Sequence, residues 1–233
     1  MTDVLLITGT SRGLGRALAM HYVAKGYNIV GVSRSDSDLK SEFYRHYCLD
    51  ISDESQVRML FSGFRRQGLQ VYGLINNAGI SATQMGHVLD CKTFDNILKT
   101  NVLGSFIMTR EAARMMQKVK FGRVINFSSI NVPLNSSGAM AYNASKAANE
   151  SVSGTMASEL SEFGITFNTV GLSLVEDSGM IADLSESALQ AKINRLTRPA
   201  ALCVEEVAHV LDFFLSRNAG NITNQIVYFG GIR

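Results

Sequence analysis

Tyr142 and Lys146 stand four residues apart in a stretch that reads as helix over 142–163, so their side chains share one face. A phenol titrates near pH 10 and is a poor base at neutrality. A neighbouring ammonium favours the phenolate, and each tenfold change in that equilibrium is worth roughly 1.4 kcal/mol. Such a pair can hand a proton to an alkoxide as it develops on a carbonyl oxygen. Ser129, thirteen residues earlier, could hydrogen-bond and orient the same oxygen. Taken singly, each of these residues has a plain structural use. Ser129 could cap a turn at a strand end, and Asn101 could bond its own helix backbone. Together they describe one site.

A second constellation precedes them. Thr8-Gly9-Thr10-Ser11-Arg12-Gly13-Leu14-Gly15 follows an apolar strand and opens a helix. Glycines at this junction permit a tight turn and let backbone approach a pyrophosphate at the helix's positive end, which points to a dinucleotide. At the close of the next strand, an acidic residue would hold ribose hydroxyls and repel a 2′-phosphate. Ser33 and Arg34 stand there instead, and Arg12 in the glycine turn could reach the same place. Two guanidiniums suit a phosphate dianion through bidentate, charge-assisted bonds.

The elements that must position these groups alternate, strand then helix, along the whole chain. Strands are expected over 4–8, 28–32, 44–49, 73–76, 123–127, 165–170 and 225–229. Helices are expected over 13–25, 53–66, 94–117, 142–163 and 204–216. Most of the strands are unbroken apolar runs, as a parallel sheet covered on both faces requires. Asp53 reads as a helix start and Gly164 as a helix C-cap. The pattern predicts an α/β fold, a Rossmann-type doubly wound parallel sheet of about seven strands. Residues 1–233 would form a single domain, with ligands at the carboxyl ends of the strands.

Composition removes several function classes. The 233 residues are 46% hydrophobic and 18% charged, enough to build a core and too ordered in pattern for a disordered chain. Net charge is +2 and Arg65-Arg66 is the densest basic spot, which reads as a solvated helix face rather than a nucleic-acid surface. The three cysteines, Cys48, Cys91 and Cys203, are widely spaced and fit a reduced, cytoplasmic chain. His21, His46, His87 and His209 show no metal-ligand spacing, and no metal is expected. No apolar run approaches the roughly 18 residues that span a bilayer.

The glycine spacing, G-x-x-x-G-x-G, resembles that of the short-chain dehydrogenase/reductase family. The resemblance extends through Asp50, Asn76-Asn77-Ala78-Gly79, Asn101, Ser129, Tyr142-Asn143-Ala144-Ser145-Lys146 and Gly230-Gly231. It implies that Asn101, Ser129, Tyr142 and Lys146 are catalytic. Lys146 would also hold the nicotinamide ribose, and Asn101 would anchor a water linking Lys146 to solvent. It implies NADP(H) as cofactor, since in similar reductases paired arginines accompany the 2′-phosphate. The cofactor residues would be Gly9, Ser11, Arg12, Gly13, Leu14, Gly15, Ser33, Arg34, Asp50, Ile51, Asn77, Ala78, Gly79, Tyr142, Lys146 and Val175. Asp50 and Ile51 would hold the adenine. Relatives are usually tetramers packed through the helices around 94–117 and 142–163. Small residues such as Ala144, Ala147, Ala148, Ser151 and Gly154 would allow that approach.

The overall pattern looks most like 3-oxoacyl-carrier-protein reductases, so the expected reaction is reduction of a 3-oxoacyl thioester or similar ketone. Several positions depart from the family. Leu172-Ser173 replace a Pro-Gly pair, Asp177 replaces Thr, and Asn224 and Phe229 replace Gly and Asp. Without proline's fixed φ the turn after the sixth strand should be less constrained. A lid is expected over about 176–198, with Met180, Ile181, Leu184, Leu189 and Ile193 at roughly helical spacing. The polar segment 131–140 hints at a hydroxylated or carbonyl-rich ligand. Lys120 fits one carrier-docking position, but Phe163 fills the other beside Glu159 and Glu162, which weakens carrier docking. The alternatives are a non-catalytic dinucleotide-binding or sensing subunit and an NAD-linked alcohol dehydrogenase.

Overall fold

The computed structural model describes residues 2–176, 190 and 193–231. Its frame is one seven-stranded parallel sheet in the order β3-β2-β1-β4-β5-β6-β7. The strands are β1 (Thr2–Thr8), β2 (Ile29–Ser33), β3 (Tyr44–Cys48), β4 (Leu69–Asn76), β5 (Gly122–Ser129), β6 (Ile165–Leu172) and β7 (Ile226–Tyr228). The order reverses between β1 and β4, which opens a crevice above their carboxyl ends.

Helices cover both faces, as unbroken apolar strands demand. On one side α2 (Glu54–Arg66), α4 (Ser105–Val119) and α6 (Met140–Glu159) pack Phe61, Phe64, Met108, Met116 and Ala157 against Leu6, Leu74 and Phe167. On the other, α1 (Gly13–Ala24) and α7 (Val204–Leu215) pack Leu18, Tyr22, Leu211 and Phe214 against Leu5, Ile7 and Ile125. Asp53 caps α2 as expected, accepting from the Ser55 and Gln56 amides, and the Ser55 hydroxyl, then the Gln56 amide and side chain, hold its carboxyl down at about 2. Gly164, at φ +67°, closes the helical turn that follows α6.

Three boundaries depart from expectation for identifiable reasons. Strand β4 starts at Leu69 rather than Gly73, because Gly68 at φ +68° turns the chain directly into the sheet. The polar Gln70 hid that start, although it is 8% exposed in the sheet. The helix expected over 94–117 is two helices, α3 (Cys91–Leu98) and α4, joined by a π-helical turn over Lys99–Gly104. Strand β6 runs on to Leu172, which pairs with Ser129 and accepts from the Ile130 amide at 2.8 Å. With leucine in place of proline the backbone continues the ladder, so this end of the sheet is more constrained than expected. A short helix, α5 (Asn131–Leu134), occupies part of the polar segment. Of the expected lid, Glu176, Gln190 and 193–198 are described, and Met180, Ile181, Leu184, Leu189 and Asp177 lie outside the described residues.

The glycine turn is fixed by space as much as by φ. A Cβ on Gly15 would lie 2.3 Å from the Gly9 carbonyl oxygen and 2.3 Å from Asn77 Nδ2. Gly15→Ala is expected to cost about 2 kcal/mol, since backbone must move to admit the methyl. Urea unfolding of the two proteins measures this, and an unchanged midpoint would contradict it.

Candidate active site

The crevice end of the sheet collects the expected residues from three elements. Ser129 ends β5, Asn101 lies in the π turn, and Tyr142 and Lys146 sit on the first turns of α6. Asn101 is fully buried. Its Oδ1 accepts from the Ile80 amide at 2.8 Å, and its Nδ2 donates to the Ile80 carbonyl at 2.9 Å and to Ser145 Oγ at 3.0 Å. Ser145 directs its own proton to the Tyr142 carbonyl at 2.7 Å. Asn149 Nδ2 donates to the main-chain oxygen of Asn101 at 2.8 Å. The loop after β4, the π turn and α6 are thereby tied at one point.

Lys146 is buried and donates to the Phe127 carbonyl at 2.8 Å, its ammonium 5.5 Å from the centre of the Tyr142 ring. Burial favours its neutral form and brings its titration down to about 8. Burial also pushes the Tyr142 phenol up to about 12, opposed by a hydrogen bond from Ser129. The expected lowering of the phenol by the ammonium is thus outweighed in the protein alone, because desolvation dominates both groups. The phenol keeps its proton at neutral pH, as a general acid must. The donors and the oxygen of the Asn101 side chain all engage protein.

The remaining expected residues line the same edge. Asn77 Nδ2 donates to the Thr8 carbonyl at 2.8 Å, and the Asn77 and Ala78 amides donate to Thr8 Oγ1 at 3.0 and 2.9 Å. Asn77 therefore clamps the glycine turn to β4. Gly79 faces Asn101, whose Oδ1 would lie 3.3 Å from a Cβ there. Gly13, at φ +56°, starts α1 behind Arg12, and Ser11 and Leu14 flank it. Asp50 accepts from the Ser52 amide and hydroxyl at 2.9 and 2.8 Å on Oδ1, and Ile51 is buried beneath Gly104. Val175 is buried and bridges to Leu202. Ser33 ends β2, while Arg12 and Arg34 are exposed and form no ion pair among the described residues.

Sequence reasoning missed Ser145 and Asn149, which sit one helical repeat from Tyr142 and Lys146 on the same face and could have been found by that spacing. It also passed over His46. The donor atoms of Asp36, His46 and Cys48 come within 4.8 Å of one another, though the sequence spacing suggested no such group.

A model of the short chain dehydrogenase family matches residues 3–189. The chain belongs to that family. It is 27% identical to the 3-oxoacyl-[acyl-carrier-protein] reductase FabG of Salmonella typhimurium, over 98% of this chain and 96% of that protein. It is 29% identical to the reductase MabA of Mycobacterium bovis, over 97% of this chain and 91% of that one. Among solved structures, a short chain dehydrogenase from Leptospira borgpetersenii with bound NAD+ superposes with a TM-score of 0.91 at 19% identity, covering 99% of this chain and 92% of that one. ElxO with NADP bound gives 0.88 at 23%, covering 98% and 97%. The family is one of oxidoreductases, and the Rossmann-like sheet of this chain is the one those neighbours share. Among the described residues no helix is long and apolar enough to cross a membrane.

Burying an ammonium with no carboxylate beside it among the described residues has a measurable consequence. Below about pH 8 Lys146 is charged in both folded and unfolded chains, and folding bears the full cost of desolvating it. Above the ordinary lysine value of 10.5 it is neutral in both, and the penalty is gone. Lys146→Met is therefore expected to be about 2 kcal/mol more stable than the parent at pH 7, with the difference vanishing towards pH 10.5. Denaturant titrations at the two pH values check the sign, and a variant less stable at pH 7 would reverse it.

Proposed function

We propose that this family member uses NADPH to reduce a ketone, a 3-oxoacyl thioester or a similar carbonyl, to the secondary alcohol. The buried phenol–ammonium pair of Tyr142 and Lys146, its ammonium 5.5 Å from the ring centre, with Ser129 buried at the end of β5, carries the reading. One sheet presents both halves of the site, so residues 1–233 are read as one binding and catalytic unit.

The chain fits a dinucleotide. α1 begins without a side-chain cap and with no acidic residue in its first turn, whereas α2 and α3 are capped by Asp53 and Asp90. Its first amides are left for a pyrophosphate. The neighbouring structures hold NADP or NAD+. The preference for NADPH here rests on Ser33, which brings no negative charge to the end of β2, and on Arg12 and Arg34, which form no ion pair among the described residues.

NADPH, when bound, would supply the hydride that reaches the carbonyl carbon. Tyr142 would give its phenolic proton to the oxygen as the C–O bond gains negative charge, and Ser129 would hold that oxygen in line. Lys146 would hold the nicotinamide ribose hydroxyls and stabilise the resulting tyrosinate. A water on the Asn101 main-chain oxygen would return the proton through Lys146. The names of the curated relatives support the substrate class. The exposed Ala144, Ala147 and Ser151 on α6 would let a second copy approach closely, so the protein is read as an oligomer.

Tyr142→Phe should lower kcat with a 3-oxoacyl thioester at least about 100-fold while NADPH still binds, as followed by cofactor fluorescence. Full turnover in that variant would assign the acid elsewhere. Separately, Arg34→Asp should weaken NADPH binding by about tenfold or more and leave NADH binding nearly unchanged. Equal effects on both cofactors would remove Arg34 from the 2′-phosphate.

A further inference from the structure

His46 belongs to a network that ends where the adenosine of the cofactor would lie. It sits on β3, half-buried, between β2 and the glycine turn. Its Nδ1 lies 2.8 Å from the Tyr44 hydroxyl, which reaches Thr10 Oγ1 of the glycine turn at 3.0 Å. Its Nε2 lies 3.0 Å from the Ser35 carbonyl oxygen and 3.1 Å from Ser33 Oγ. The Ser33 hydroxyl donates to that same carbonyl at 2.8 Å. Since a carbonyl can only accept, Nε2 carries a proton towards Ser35.

The chain makes room for this network. A Cβ on Gly31 would lie 2.2 Å from the Tyr44 hydroxyl and 2.4 Å from Thr10 Oγ1, so only glycine at that position of β2 admits the two hydroxyls. Thr10 is fully buried and Ser33 nearly so, which makes the network part of the floor of the crevice. On its flank, Arg16 grips Asp38 with two bonds, at 2.8 and 2.9 Å, and holds the segment after β2 against α1.

We propose that His46 is a positioning residue for cofactor choice, favouring a 2′-phosphate over a free 2′-hydroxyl. The inference rests on the dinucleotide reading above. Two consequences of its contacts support it. First, the Ser35 carbonyl has both lone pairs engaged, by His46 and Ser33, and offers neither to the crevice, where a carbonyl oxygen would repel a phosphate dianion. Second, the imidazole stands beside Asp36, a carboxylate of the segment after β2 whose charge would oppose a phosphate. The donor atoms of Asp36, His46 and Cys48 lie within 4.8 Å, and Asp36 otherwise accepts only from the Ser37 amide, at 2.8 Å, among the described residues. Replacing His46 by an apolar side chain frees the carbonyl and leaves Asp36 without that neighbour. Both changes disfavour a phosphate dianion, whereas a hydroxyl, which can donate to either oxygen, is not repelled.

The test is calorimetric binding of NADP+ and NAD+ to the full chain and to three variants, with thermal unfolding as a check on folding. His46→Leu is expected to weaken NADP+ about tenfold and NAD+ less than about twofold. His46→Gln, which keeps a side-chain N–H for the Ser35 carbonyl, should recover most of the preference. Asp36→Asn should tighten NADP+ by about two- to threefold and leave NAD+ unchanged. An unchanged NADP+/NAD+ ratio in His46→Leu, or an equal loss of both dinucleotides in His46→Leu, would overturn the assignment of His46 while leaving the dinucleotide reading in place. A parent protein that binds neither dinucleotide would overturn that reading, and this inference with it.

Discussion

One buried amide holds the catalytic end of the molecule together. Asn101 has two donor hydrogens and an acceptor on its side chain, and each is matched inside the protein, by Ile80 and Ser145. Its main-chain oxygen takes Asn149. This satisfaction depends on the π turn. An α-helix advances about 100° per residue, so the extra residue in the widened turn decides which side chain faces inward. Asn101 is then fully buried while Leu103 is 45% exposed, an arrangement that trades apolar burial for a polar anchor. Because an unmatched buried amide costs more than a matched one contributes, the anchor tolerates little error in the positions of Ile80 or α6.

That anchor fixes where Tyr142 and Lys146 stand, and burial then sets their chemistry. With no carboxylate beside it, the Lys146 ammonium has the Phe127 carbonyl as its partner among the described residues. The phenol is raised and the amine lowered, both towards the uncharged form. The site therefore gives up stability to keep a proton on tyrosine. In so desolvated a place a charge brought near acts with a strength that water would have screened. A substrate oxygen becoming negative beside Ser129 would meet a phenol held ready and an amine close to its own midpoint.

Much of this was legible in the residues. Apolar runs revealed the sheet because both its faces are buried, and the glycine turn, Asn101, Ser129, Tyr142 and Lys146 are marked by type and spacing. What stayed hidden was polar material with a structural role. Gln70 is polar yet lies within β4, and Ser145 and Asn149, given no role by the sequence, bond the Asn101 side chain and backbone. The π turn has no local signature, since its cause is the tertiary match at Ile80 and Ser145. The longer β6 was concealed by the expectation of a proline-type turn at Leu172, where the ladder to Ser129 simply continues. His46 shows no ligand spacing in the sequence, and its partners, Tyr44, Thr10 and Ser35, come from three separate segments.

The two ends of the crevice are consequently built on different principles. At the catalytic end, buried groups are matched by protein, so a substitution leaves an orphaned donor or acceptor and its effect is local and large. At the end of β2, Arg12 and Arg34 are exposed to solvent, where salt screens their charge. The floor beneath them takes its shape from the space left for it. Gly31 admits the Tyr44 and Thr10 hydroxyls, Gly15 admits Asn77, and either cleared position allows a hydrogen bond to reach the glycine turn from another segment. Glycines in this fold thus serve less as loose joints than as openings through which the polar network is threaded.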